Sequence, residues 1–191
     1  MIEDWWPTQI GFYDNIDHNK IEKDLSNHCL NFKNKHKKGG TNWLSQDTYN
    51  TSDGVFDVTR SGKFKTLNKF VYDSVEKYID ETGMIYKIKK KDGWFNVYNK
   101  DDFQELHDHT PFVISAVYFL KSKKTSSKIY FQSNFKDQLN INYKTPRVMT
   151  QSSIFYEPLP GRLLVFRSYL PHFVEKNKLE EKRITIAYNF T

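Results

Sequence analysis

His107-Asp108-His109-Thr110-Pro111-Phe112-Val113-Ile114-Ser115-Ala116-Val117-Tyr118-Phe119-Leu120 is the stretch on which the fold turns. Residues 112–120 are rich in Ile, Val, Tyr and Phe. They are apolar at odd and even positions alike, which suits a strand covered on both faces. Ahead of that strand, His107 and His109 stand two residues apart on an extended segment. Their side chains therefore point to one side, where both reach a single ion. Imidazole nitrogen ligates iron, zinc and copper. An H-x-H pair alone is a weak signal, because short histidine pairs also arise by chance.

Outward from this stretch, residues 84–90, 94–98, 129–132, 162–167 and 184–190 carry the same β-forming composition. The first half of the chain has a different rhythm. Residues 19–37 place Ile21, Leu25, Cys29 and Phe32 on one helical face. Residues 64–81 do the same with Leu67, Phe70, Val71, Val75, Tyr78 and Ile79, and Gly83 stops that helix. Helices first and short strands afterwards predict an α+β fold, a jelly-roll, cupin-like barrel with the two helices packed on one side. One domain over 1–191 is expected, with 1–83 a mainly helical flank and 84–191 the barrel. The strand-poor stretch 133–160 reads as a long loop or a partly ordered insertion, and long loops over a barrel mouth often carry substrate contacts.

A third metal ligand must come from elsewhere in the chain, and His172, one turn after strand 162–167, is the natural candidate. Arg183 strengthens the case. It follows His172 by eleven positions (183 minus 172) and opens the last strand, where parity puts Arg183, Thr185, Ala187 and Asn189 on one face. A buried arginine beside a hydroxyl makes a fork for a carboxylate. Taken alone, a strand-end arginine paired to Glu180 or Glu181 is an equal alternative. Asn96 and Tyr98 share a face of the strand before His107 and are placed to border the same cavity, though Tyr98 also suits plain packing. His18, His28 and His36 have no ligand-like neighbours and read as surface or structural residues. Cys29 is the only cysteine, so internal disulfides and thiolate clusters are excluded, and its spacing places it in a core.

The order Asn96-x-Tyr98, His107-x-His109, His172, Arg183-x-Thr185 resembles the 2-oxoglutarate/Fe(II)-dependent oxygenase superfamily. Residues 107–120 are similar to the H-x-H…S-G-V-Y-Y-L segment of a group of bacterial and phage oxygenases. Pro160-Gly161-Arg-Leu-Leu-Val-Phe166-Arg-Ser168-Tyr-Leu-Pro-His172-Phe-Val174 resembles that group's P-G-x-L-x-x-F-x-S-x-x-x-H-x-V segment. Trp6-Pro7-Thr8 and Asn42-Trp43-Leu44-Ser45 resemble it too, so the likeness touches most of the chain.

The resemblance implies a double-stranded β-helix with Fe(II) held by His107, His109 and His172 at its open end. Arg183 and Thr185 would hold the distal carboxylate of 2-oxoglutarate, with Asn96 and Tyr98 bordering it. O2 would be the second cosubstrate, and the products succinate, CO2 and a hydroxylated C–H bond of a peptide, protein residue or small molecule. Three departures stand out. His109 fills the position that is a carboxylate in most of the superfamily. Asp108 should point the other way and orient a ligand or cap the turn, unless a local kink brings it in as a ligand in place of His109. Ala116 and Phe119 replace the group's glycine and second tyrosine.

Composition permits other classes. A net charge of +6 from 29 basic and 23 acidic residues allows nucleic acid as substrate or ligand, but the lysines are scattered as on ordinary solvated faces. A zinc-type hydrolase or lyase on the same barrel would use the same three histidines. A binding module for sugar or nucleic acid would use the aromatics, 16% of the chain. No apolar run approaches the roughly 18 residues that cross a bilayer. With no leader-like start, a cytoplasmic place in a bacterial or phage-infected cell is expected.

Overall fold

Alternation of side chains along the strands sorts the apolar residues into two cores, one on each face of a large sheet. The computed structural model describes residues 8–41, 43–45, 47–134, 144 and 151–191. Trp6, Pro7 and Asn42, which enter the resemblance, lie outside the described residues, as do 135–143 and 145–150 of the expected long loop. The large sheet has six strands in the order β1 (Ile10–Asp14), β8 (Arg162–Arg167), β5 (Ile114–Lys121), β10 (Arg183–Phe190), β3 (Lys91–Tyr98) and β2 (Tyr49–Asn50). A second sheet has the order β4 (Gln104–His107), β9 (His172–Val174), β6 (Ile129–Gln132) and β7 (Ser153–Tyr156). All eight pairings among the described residues are antiparallel. This is the expected α+β double-stranded β-helix.

One face of the large sheet presents Phe95, Val97, Ile114, Tyr118, Leu163, Ile184 and Ile186 to the helices. Helix α1 (His18–Lys35) adds Leu25 and Cys29 to that core, and α2 (Lys65–Glu81) adds Leu67, Val71, Val75 and Tyr78 at helical spacing. The other face meets the small sheet around Tyr98, Phe119, Phe131, Leu164, Phe166 and Val174. Strand β5 is thus covered on both sides, as its unbroken apolar run demands. Among the described residues, no helix is long and apolar enough to cross a membrane.

Two expectations need correction. Residues 84–90 form no strand. The partner β10 ends at Phe190 opposite Lys91, so the chain ahead of Lys91 has no ladder to join, and only Lys89 and Lys90 reach the carbonyl of Thr191. The stretch 133–160 is not free of strand, because β7 pairs with β6 from Ile129↔Tyr156 to Gln132↔Ser153. Its side chains are half-buried at most, and so short a segment gives little apolar signal.

The structural histidines pack as the sequence suggests. His18 Nδ1 lies 2.9 Å from the Tyr118 hydroxyl, His28 packs on Phe56 and Phe64, and His36 stacks on Phe32. Gly161 accepts no larger residue beside His18. Its φ is +83°, and a Cβ there would approach the His18 side chain to 2.9 Å. Positive φ and overlap together make Gly161→Ala destabilising by about 2 kcal/mol or more, read as a drop in the urea midpoint at unchanged slope.

Candidate active site

Strand β4 pairs with β9 so that His107 sits opposite His172. The register slips within this pair. Gln104 faces Val174 and His107 faces His172, so two residues of β4 oppose the single Phe173. This bulge lets Gln104 and His107, three positions apart, both turn to the cavity between the sheets. His109 follows in the turn, where its N–H donates to the Ser168 carbonyl at 2.9 Å. Ser168 is itself fixed, its Oγ 2.8 Å from that of Ser115, which donates to Asn189 Oδ1 at 2.8 Å. These buried contacts give the two motif serines a physical role, holding the backbone that carries His109.

The structure brings the three predicted ligands together. One nitrogen from each of His107, His109 and His172 lies within 4.8 Å of the others. Ring centroids are 4.2 Å apart for His107 and His172, and 5.0 Å for each with His109. His107 Nδ1–H donates to the Glu105 carbonyl at 2.7 Å, and His172 Nδ1–H to the Leu170 carbonyl at 2.9 Å. A carbonyl only accepts, so both rings turn the lone pair of Nε2 to the centre. Burial keeps the rings neutral, the form that ligates. It pushes His109 down to about 3 and, with the other two rings adding to the effect, His172 well below its ordinary range. Asp108 turns away, exposed, and its Oδ1 accepts the Thr110 N–H at 2.8 Å. The carboxylate caps the turn.

At the other end of the cavity lies Arg183, only 1% exposed. Its Nε, Nη1 and Nη2 have no hydrogen-bond partner among the described residues. The guanidinium rests against the rings of Tyr98 and Phe119 at 4.7 and 5.5 Å. Glu180 and Glu181, the sequence alternatives, pair instead with Lys100 and Lys123. Thr185 and Asn96 form the next rung of the wall, where the Asn96 amide donates to Thr185 Oγ1 at 3.2 Å. The Thr185 hydroxyl proton is thereby left to donate onward.

Two cavity residues escape the sequence reading. Trp94 lies one further rung along, opposite Ala187, with its ring 5.7 Å from His109 and its indole N–H unpaired among the described residues. Extending the Asn96–Tyr98 parity by two residues would have found it. Gln104 is the other, and the bulge hides it.

Three neutral imidazoles sharing one centre suit a borderline divalent metal. A guanidinium with no hydrogen-bond partner among the described residues, beside a hydroxyl that accepts from Asn96, suits a carboxylate. One cavity lined by both ends suits a ligand that reaches from the metal to Arg183.

Comparison with known proteins gives the same answer. The sequence profile of the family described as "Putative 2OG-Fe(II) oxygenase" matches residues 92–189. The fold is similar to a prolyl-4-hydroxylase from Pseudomonas putida, at 14% identity and TM-score 0.64, covering 96% of this chain and 92% of that one. It is similar to a prolyl hydroxylase from Trichoplax adhaerens in complex with a hypoxia inducible factor peptide fragment, at 12% identity and TM-score 0.64 over 95% and 82% of the two chains. HygX from Streptomyces hygroscopicus, with nickel and 2-oxoglutarate bound, is similar at 13% identity and TM-score 0.62 over 96% and 82%. No curated protein sequence matches the chain.

Proposed function

Since this chain belongs to the 2OG-Fe(II) oxygenase family, we propose that residues 1–191 form one catalytic domain in which His107, His109 and His172 hold Fe(II) while Arg183 and Thr185 bind 2-oxoglutarate. The bound metal, cosubstrate and O2 supply the oxidising power for hydroxylation of a C–H bond, with release of succinate and CO2.

The residues of the chain bind, orient and shield. Arg183 offers the distal carboxylate a guanidinium fork whose nitrogens have no hydrogen-bond partner among the described residues. The Tyr98 and Phe119 rings keep that fork in place. Thr185 adds a hydroxyl donor, because its oxygen already accepts from Asn96. Phe166 and Val174 line the cavity with apolar surface and keep water from the reacting centre. The observation that carries this reading is a buried guanidinium with no hydrogen-bond partner among the described residues, lining one cavity with three convergent imidazoles. A zinc hydrolase would leave that arginine without a purpose.

For the primary substrate we favour a peptide or protein residue over a small molecule or nucleic acid. Trp94 supports this, because its unpaired N–H beside His109 offers a donor for a carbonyl such as a peptide group presents. The Trichoplax relative holds a peptide fragment.

Incubation with Fe(II), 2-oxoglutarate and O2 is expected to yield succinate, with turnover lost on omission of iron and suppressed by N-oxalylglycine. Iron-loaded protein that neither binds 2-oxoglutarate nor forms succinate would refute the assignment.

A further inference from the structure

Gln104 is the buried polar side chain of the cavity that the proposed chemistry does not use. Its Oε1 accepts from the Tyr98 hydroxyl at 3.4 Å, and its Nε2 lies 3.1 Å from Nε2 of His107. Because the Nδ1–H of His107 is committed to Glu105, Nε2 carries the lone pair, and the amide of Gln104 donates to it. That is the lone pair a metal takes. An N–H and a metal ion cannot share it. The same side chain also stretches from the three histidines to Tyr98, against whose ring Arg183 rests. It therefore lines the cavity between His107 and the Tyr98 hydroxyl. The free volume left is about 20 Å³, enough for about one water.

Resting on the assignment above, we propose that Gln104 is a placeholder for metal and cosubstrate. In the metal-free protein its amide holds the ligating nitrogen of His107 and fills the cavity between His107 and the Tyr98 hydroxyl. Metal and 2-oxoglutarate displace it, and the released N–H becomes a donor to the cosubstrate. The β4 bulge is what makes this arrangement, since a regular strand would turn Gln104 to the opposite face from His107. Gln104 is a positioning residue, not a metal ligand. One neutral hydrogen bond competing for His107 should weaken metal binding about fivefold.

The test compares the whole protein with Gln104→Leu, Gln104→Met and His172→Ala at one pH. Co(II) binding is followed by its absorption spectrum, and 2-oxoglutarate binding to the Co(II)-loaded proteins by calorimetry. Both Gln104 variants are expected to bind Co(II) about fivefold more tightly and 2-oxoglutarate about fivefold more weakly. Their Co(II) spectra should match that of the wild type. A merely structural role would move the two affinities together or move neither. Unchanged or weaker Co(II) binding in both variants would overturn the placeholder role, and so would unchanged 2-oxoglutarate affinity. An altered Co(II) spectrum would overturn it by making the amide oxygen a ligand. If the wild type binds Co(II) no better than His172→Ala, the three-histidine centre itself falls, and Gln104 with it.

Discussion

Arg183→Met is expected to abolish succinate formation and, at the same time, to raise the melting temperature of the ligand-free protein. The two effects share one cause. Arg183 is 1% exposed and its three side-chain nitrogens have no partner among the described residues. A charge taken out of water without compensation costs several kcal/mol, and replacing buried ions by apolar residues of similar size is often neutral or stabilising by about 1–4 kcal/mol. Methionine fills similar space against Tyr98 and Phe119, and its thioether suits aromatic neighbours. In a chain of this length each kcal/mol gained raises the melting point by about 2–4 °C. The loss on the other side is larger. Without the fork, a dicarboxylate forfeits a buried charge pair whose breakage costs about 3–5 kcal/mol, so its affinity falls about 10²–10⁴-fold. Thermal melts with and without 2-oxoglutarate check both statements. The ligand should raise the melting point of the wild type and leave that of the variant unmoved. A variant that melts lower and still responds to 2-oxoglutarate would remove Arg183 from the site. Arg183→Lys should fall between, because it keeps the charge but loses the planar fork.

The site was unevenly legible in the sequence, and the reason is backbone regularity. Between β10 and β3 the register runs without a shift, the irregularity at Ile184/Thr185 lying on the β5 side, so parity puts Arg183, Thr185 and Asn96 on one wall. On β4 it fails. One extra residue between Gln104 and His107 turns both inward, and counting by two sends Gln104 to the wrong face. The pairing of His107 with His172 depends on strands of four and three residues, too short to leave a pattern. The place of His172 one turn after strand 162–167 suggests the link, and the resemblance to known oxygenases strengthens it. The same limit explains β1, β2 and β7, short edge or near-edge strands with little apolar alternation. By contrast β5, β8 and β10 are buried on both faces by the helices and the second sheet, and their continuous apolar runs marked them plainly. The failed strand at 84–90 shows the converse: composition favours it, but no partner reaches it.

The proposed three-histidine centre would differ in charge from the superfamily's norm of two histidines and a carboxylate. Three neutral imidazoles leave a divalent ion at its full +2, where two histidines and a carboxylate would leave +1. Arg183 lines the same cavity, so with a divalent ion on the histidines the site would favour an anion. A dianionic cosubstrate meets both demands, which makes metal and 2-oxoglutarate binding mutually supporting. Among the described residues no carboxylate joins the group of His107, His109 and His172.

That dependence gives His172→Ala the second large effect, a loss of divalent-metal affinity of more than about 100-fold with turnover lost alongside. Loss of an outer partner of a metal ligand already costs about 10–100-fold, and removal of a ligand costs more. His172 is also the ring through which the centre joins the core, since it packs on Phe166 at 4.8 Å and on Phe131 at 5.7 Å. Truncating it leaves a small cavity, but it also removes a buried imidazole with a pKa pushed well down, so the metal-free protein should keep its fold by circular dichroism. The discriminating measurement is the metal-induced rise in melting temperature, present in the wild type and absent in His172→Ala. Asp108→Asn is the control. Its exposed carboxylate serves the Thr110 N–H, so this variant should keep the metal-induced rise in full. If Asp108→Asn loses the rise and His172→Ala keeps it, the ion is held by the carboxylate and the third imidazole is not a ligand.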